Sequence, residues 1–322
     1  MRLFDNAKYD FLAVRRAAYL LTALVALPGL AMLGLRGLNE SIEFTGGTLI
    51  QIHTVDSTLT IAGIRSALER QNVTGAQLST FGTTRDFLIR TPIAAGTDVS
   101  EDAAQVAAQR VDSALTREFG AGQYSVDRVE AVGPKVGSEL RTKALMAVLL
   151  SFGATLIYLT FRFEWRFAIA AIVATAHDIL LTVAFVSLMN LEITLVVVAA
   201  VLTIVGYSLN DTIVVFDRVR ENLHKFKRAN IYQILNRSVN ETLPRTVLTG
   251  GTTLVATVAL LVFAGPVIRG FAWVMTFGII VGTFSSIYIA SPVLLAIEQK
   301  WPGEDVRGAR ALAPQGGGAQ AT

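Results

Sequence analysis

The sequence predicts an α-helical polytopic membrane protein: six transmembrane helices with one α+β, ferredoxin-like domain inserted after the first. Three observations predict it. The 322 residues are 52% hydrophobic and only 16% charged, against about 25% charged in soluble domains. Six apolar runs of roughly 18–26 residues are each long enough to cross a bilayer as a helix. Between the first two runs lies an interval, residues 36–141, that alternates strand and helix patterns and holds 13 of the 25 acidic residues but only 10 of the 28 Lys and Arg.

Residues 1–16 are polar and basic, with Arg2, Lys8, Arg15 and Arg16. The positive-inside rule puts them in the cytoplasm. Residues 17–35 form the first span. Its apolar run exceeds the 7–15 residues of a signal-peptide core and no small-x-small cleavage site follows, so it reads as a retained helix.

Residues 36–141 are long enough to fold alone. Thr48–Thr54 alternates as a strand, and Thr58–Gln71 has helical spacing through Ile61, Ile64 and Leu68. Ala76–Phe81 and Asp86–Thr91 read as two strands with Gly82 near the turn. Ser100–Phe119 reads as a helix capped by Ser100, with Glu101 and Asp102 favouring its N-terminal dipole. Gln123–Val132 is a last strand. The order β-α-β-β-α-β is the split ferredoxin-like arrangement, and its place after the first span puts it outside the membrane. Phe44-Thr45-Gly46-Gly47-Thr48 enters this domain and Val132–Gly137 returns from it. Paired glycines allow backbone courses closed to other residues. A hinge and a tight connector are both open readings.

Spans two and three are residues 144–161 and 167–188, joined by the short basic link Arg162–Arg166, where Trp165 suits a membrane interface. Span three contains Asp178, with Thr175 and Thr182 at helical spacing. Span four, residues 194–216, contains Asp211, flanked by Asn210 and Thr212, with Tyr207 and Thr203 one and two turns earlier. A carboxylate in hydrocarbon costs roughly 2.5–3.5 kcal/mol on insertion scales, so such groups normally face a bundle interior or a wet cavity and serve ion movement. The bland reading is a buried Asp satisfied by hydroxyls as a packing device.

Residues 217–245 hold 7 Lys and Arg against 3 acids. Ile231, Ile234, Leu235 and Val239 share one helical face, so this stretch reads as a cytoplasmic amphipathic connector lying at the interface. Span five, residues 246–263, is threonine-rich, with Arg245 at its head on a face shared with Thr249. Span six, residues 271–296, carries Gly278 and Gly282 as a GxxxG packing face. Residues 297–322 read as a disordered cytoplasmic tail. Both termini then lie in the cytoplasm.

With no cysteine, disulfides and thiolate chemistry are excluded. His53, His177 and His224 form no spaced ligand set, so no metal is expected. The basic balance follows the membrane flanks and carries no nucleic-acid signature.

Gly206–Asn222 (GYSLNDTIVVFDRVREN), Phe44–Thr48 (FTGGT) and Arg245–Leu254 (RTVLTGGTTL) resemble the SecF family of bacterial protein-export membrane proteins, over residues 1 to about 300. The resemblance implies a half of a pseudo-symmetric transporter of the resistance–nodulation–division (RND) type, paired with SecD and associated with the SecYEG channel. It implies use of the proton motive force to complete export of an unfolded preprotein across the bacterial cytoplasmic membrane, with protons as the coupling ion and no other cofactor. Asp211 then corresponds to the family's intramembrane acid and Arg245 to its arginine at the start of span five. Asp178, Asn210, Tyr207 and Thr249 are accessory polar candidates.

Three other readings compete. Asp178 and Asp211 on adjacent spans superficially suit an intramembrane aspartyl protease, but the Gly-x-Gly-Asp element of such enzymes is absent, and no enzyme activity is expected. A homodimeric exporter of small molecules or lipids, and a purely scaffolding subunit, are the others.

Overall fold

The computed structural model describes residues 7–55, 59–73, 75–81, 83–91 and 101–303. Six of its helices are long and apolar enough to cross a membrane. They are α1 (Arg15–Arg36), α5 (Pro134–Arg162), α6 (Trp165–Leu188), α7 (Leu195–Lys225), α8 (Ile231–Phe263) and the run α9 (Pro266–Ser285), a π-helical segment (Ser286–Ala290) and α10 (Ser291–Lys300). Pro292 has no N–H for the helical ladder. The ladder relaxes into the π segment just before it, where Ser291 Oγ donates to the Ser286 carbonyl at 3.1 Å.

Between α1 and α5 lie a short helix α2 (Ile42–Thr45), β1 (Gly47–Thr54), α3 (Ile61–Arg70), β2 (Gln77–Phe81), β3 (Thr83–Thr91), α4 (Glu101–Phe119) and β4 (Tyr124–Val132). The sheet order is β2-β3-β1-β4, antiparallel throughout. The expected ferredoxin-like arrangement is therefore present. Ile50, Ile52, Phe87 and Ile89 face Ile64, Leu68, Val111 and Leu115 of the two helices to make its core. Thr60 caps α3, its hydroxyl accepting from the Gly63 N–H. The expected Ser100 cap and the Gly82 turn lie outside the described residues.

Tyr124 locks β4 to α4: its hydroxyl donates to the Asp112 carbonyl at 2.8 Å and stands 2.8 Å from Thr116 Oγ1. Burial pushes the Tyr124 hydroxyl up to about 12, and the Asp112 carboxylate adds to the rise. The folded group keeps its proton above the unfolded value of 10.0, so the unfolded chain binds fewer protons there and stability falls as pH rises from 10 towards 12. Thermal unfolding of this domain across that range should show this loss, and Tyr124→Phe should flatten it.

The sheet-bearing domain is tied to the bundle. Asn39 and Ser41 exchange backbone hydrogen bonds with Ile193 in the α6–α7 turn, at 2.8 and 3.0 Å. Glu43 caps α7 by accepting from the Leu195 N–H at 2.6 Å. Arg90 on β3 pairs with Glu192. Burial pushes the Glu192 carboxyl above its ordinary range against the pull of Arg90.

Gly46 and Gly47, at φ +72° and +139°, occupy backbone regions that favour glycine. A Cβ on Gly46 would lie 2.8 Å from Pro134 Cα, and one on Gly137 would lie 2.9 Å from Gly46 N. The entering and returning connectors are thus pressed together at the root of the domain, with Phe44 buried beneath and Thr48 buried in the sheet.

The expected interfacial connector at 217–245 is not a separate element. Its first part extends α7 to Lys225 and its last part begins α8 at Ile231, with a tight turn between. Ile231, Ile234, Leu235 and Val239 do share a face, but that face is buried in the protein core with Leu12, Phe163, Val219 and Leu223. The residues preceding α1 strap across it: Asn240 accepts from the Tyr9 N–H at 2.9 Å, and Asp10 accepts from Tyr232 Oη at 2.6 Å. A face covered by its own chain has no need of lipid. The sixth span also runs longer than expected, α10 reaching Lys300, while the rest of the expected disordered tail, from residue 304, lies outside the described residues.

Candidate functional site

The site is built where α6, α7, α8 and α9 meet inside the bundle. Small residues make the approach possible. A Cβ on Gly278 would lie 2.1 Å from Ile204 Cδ1, and one on Gly282 would lie 3.0 Å from Ser208 Cβ. The expected GxxxG face is therefore the contact of α9 with α7. Gly29 does the same for α1, where a Cβ would stand 2.4 Å from the Ala184 carbonyl oxygen of α6.

That packing lays two serines on Asp178, which is 1% exposed. Its Oδ2 accepts from Ser208 Oγ of α7 and, at 2.6 Å, from Ser285 Oγ of α9. Its Oδ1 lies 3.0 Å from His177 Nδ1. The carboxylate is thus a clamp across three helices. Thr175 and Thr182, which share its helical face in the sequence, turn their hydroxyls to backbone carbonyls of α6 instead, Ala171 and Asp178 itself.

Asp211 is the contrasting case. It is 4% exposed and sits midway along α7. Its Oδ1 accepts one hydrogen bond, from Thr246 Oγ1 of α8 at 3.3 Å, and its Oδ2 is buried without a partner. A buried acceptor left unmade costs about 1–3 kcal/mol, more when charged. One turn earlier the Tyr207 hydroxyl is also buried, beside the hydroxyls of Thr283 on α9 and Thr253 on α8. Gly250 of α8 faces both: its Cβ would stand 3.1 Å from Thr283 Oγ1 and 3.6 Å from Tyr207 Oη. These hydroxyls lie on the side of Asp211 nearer the α6–α7 turn.

Arg245 is not paired with Asp211. It is exposed at the head of the membrane part of α8, while the next residue, Thr246, points inward and takes the carboxylate. Asn210 and Thr203 are exposed as well, and Thr249 is half-buried. Steps of four residues drift by about 40° each on an α-helix, so Thr203, two steps from Asp211, has rotated out of its face. Together Thr203, Gly206 and Asn210 on α7 and Arg245, Gly251 and Thr252 on α8 leave a polar, small-residue surface uncovered within the apolar segments. Sequence reasoning placed Asp178 and Asp211 in this region but missed Ser208, Ser285, Thr246 and Thr283 as their surroundings. Those serines and threonines stand out only once the helices are packed.

The comparisons agree with this architecture. A family model described as "Protein export membrane protein SecD/SecF, C-terminal" matches residues 111–300, and one described as "SecD/SecF GG Motif" matches residues 31–57. The protein translocase subunit SecF of Gemmatimonas aurantiaca is 49% identical over 315 residues, 97% of this chain and 94% of that one. The SecF of Escherichia coli O157:H7 is 39% identical over 91% of this chain and 88% of its own length. The crystal structure of the translocon-associated SecDF from Thermus thermophilus superposes with a TM-score of 0.80 at 37% identity, over 93% of this chain. This chain spans 40% of that SecDF chain. By helix count, inserted α+β domain and paired-glycine junction alike, the chain is a multi-pass membrane protein that belongs to the SecF branch of the SecD/SecF protein-export family.

Proposed function

We propose that this chain is the SecF-type half of a two-part, RND-like proton-driven motor in the bacterial cytoplasmic membrane, completed by SecD and acting with the SecYEG channel on an emerging, unfolded preprotein. Asp211 loads and unloads the proton. Its file of hydroxyls, Tyr207 and Thr283, leads toward the outer face, and water bridging them would carry protons from outside. Arg245, always charged, is the cation against which the ionised carboxylate is read. The outer domain is the lever, moved through Gly46-Gly47 by changes in helix packing. The protonation states must favour different packings for this to work.

The observation that carries the reading is the buried, half-partnered carboxylate of Asp211 beside an uncovered polar strip on α7 and α8. Arg245 and Asn210 are poor lipid neighbours, since charged and polar groups at membrane depth normally face protein or water. A second helical half laid on that strip would cover them. The share of the SecDF chain that this protein leaves unmatched is what such a half would supply.

The test is translocation completion in inverted vesicles carrying this chain with SecD, before and after an uncoupler. A rate that falls on uncoupling supports the proposal, and an unchanged rate refutes proton coupling. In the same assay Arg245→Lys should slow the gradient-driven step by roughly tenfold. A point charge replaces the guanidinium fork, and one charge-assisted hydrogen bond is worth about 1.5–3 kcal/mol. Full activity of Arg245→Lys would mean that charge alone is used. A homodimeric small-molecule exporter is separated by co-purification: SecD should accompany the tagged chain, and a second copy with drug efflux would favour the exporter.

A further inference from the structure

We propose that the outer domain carries a binding site for a first-row divalent cation, with zinc preferred, made by His53, Asp86 and Asp127 at the end of the sheet far from the membrane junction. The three residues come from adjacent strands. His53 on β1 is paired in register with Asp86 on β3 and with Ser125 on β4. On β4 the register shifts: Gln51 pairs with Arg128 and Ile52 with Val126, so Asp127 is the extra residue of a β-bulge. Bulges re-aim a side chain, and here one donor atom from each of the three residues lies within 4.8 Å of the others.

The surroundings are arranged as around a ligand set. Thr83 Oγ1 donates to Asp86 Oδ2 at 2.5 Å, and Ser125 Oγ donates to Asp127 Oδ1 at 2.9 Å. Each carboxylate is thus steadied by a hydroxyl on one oxygen, the outer-sphere support that orients metal ligands. The other oxygen of Asp86 lies 2.6 Å from His53 Nδ1. Among the described residues neither carboxylate has a Lys or Arg at ion-pair distance, and Asp86 is only 17% exposed. With the imidazole neutral, the cluster holds two negative charges side by side, which one divalent cation neutralises.

Donor chemistry narrows the cation. One imidazole nitrogen with two carboxylate oxygens suits zinc or manganese, whereas calcium and magnesium prefer all-oxygen sets. Four zinc bonds of about 2.0–2.2 Å in a tetrahedron set their donors roughly 3.3 Å apart, so rotation of the exposed Asp127 brings its oxygen in, while His53 Nδ1 and Asp86 Oδ1, 2.6 Å apart as a hydrogen bond, open slightly to admit the ion. The ion takes the place of the Nδ1 proton of His53, which moves to Nε2. Three protein ligands leave a fourth position to water. The ion would staple β3, β1 and β4 together.

The experiment is calorimetric titration of the full, detergent-solubilised chain, stripped with chelator, using zinc chloride and then manganese chloride. The wild type should bind one more zinc than Asp127→Asn or His53→Gln, or bind it at least roughly tenfold more tightly, as loss of a ligand requires. Zinc should raise the unfolding temperature of the wild type and leave that of both variants unmoved, because an ion bound only by the folded state stabilises it. Matching unfolding temperatures without metal show that the variants are folded. Equal zinc binding by wild type and both variants overturns the site, and so does no binding by the wild type at millimolar zinc.

Discussion

Asp211→Asn is expected to abolish the gradient-driven part of export while leaving the chain folded, inserted and able to pair with its partner. Asparagine has the same shape, and its carbonyl oxygen still accepts the single hydrogen bond that Thr246 Oγ1 gives Asp211 Oδ1 at 3.3 Å. What it lacks is a second protonation state. Each elementary charge moved across the membrane is worth about 2.3 kcal/mol per 100 mV, and a side chain that cannot take up a proton extracts none of it. The variant with its gradient intact should therefore run at the rate of the wild type with its gradient collapsed. Full stimulation by the gradient in Asp211→Asn would remove Asp211 from the relay. Asp178→Asn provides the contrast. Asp178 already has Ser208, Ser285 and His177 around it, so its replacement should weaken the joining of α6, α7 and α9, and a fall in unfolding temperature should accompany any loss of export. Interhelical hydrogen bonds in membranes average about 0.6 kcal/mol, which makes this a shift of a few degrees.

The two acids also show how far the sequence can be read. That Asp178 and Asp211 lie inside apolar helices is plain from composition, and Gly278 with Gly282 announces a close helix contact that the structure realises against Ile204 and Ser208. The order and type of the outer-domain strands follow from their alternation. The difference between the acids was hidden, because their partners come from helices distant in the chain. Helical spacing pointed to Thr175 and Thr182 around Asp178, yet those hydroxyls have backbone carbonyls of their own turn to satisfy, as threonines in helices commonly do. The stretch 217–245 was misread for another reason. A run of Lys and Arg marks where lipid ends and says nothing of where a helix ends, so α7 and α8 continue past the apolar limit and bury their inner face on each other and on Leu12.

The second large effect is expected at the junction, where Gly46→Val should unseat the outer domain. Gly46 has φ +72°, a region that β-branched residues avoid, and strain of this kind costs about 1–3 kcal/mol. The added Cβ would also stand 2.8 Å from Pro134 Cα and 2.9 Å from Pro134 N. Those are backbone atoms at the first turn of α5, which cannot swing aside as a side-chain tip can. Gly137, one turn further along α5, packs on the same connector, its own Cβ position 2.9 Å from Gly46 N, so α5 has no slack there to absorb the added side chain. The summed penalty should reach at least about 3 kcal/mol, in the range reserved for disrupted packing. It should appear as a lower unfolding temperature and as faster proteolysis of residues 36–141 in right-side-out vesicles. Because the two connectors are packed as one body, any swing of the outer domain has to carry the end of α2 and the start of α5 together. Helix α5 in turn contacts α6 and α7, the helices that hold Asp178 and Asp211, and under the proposed function this contact is the route from the proton site to the domain. A Gly46→Val chain that keeps wild-type stability and export would mean that the contact is incidental and that force reaches the outer domain by another route, of which the Glu43–Leu195 and Arg90–Glu192 links over the α6–α7 turn are the next to test.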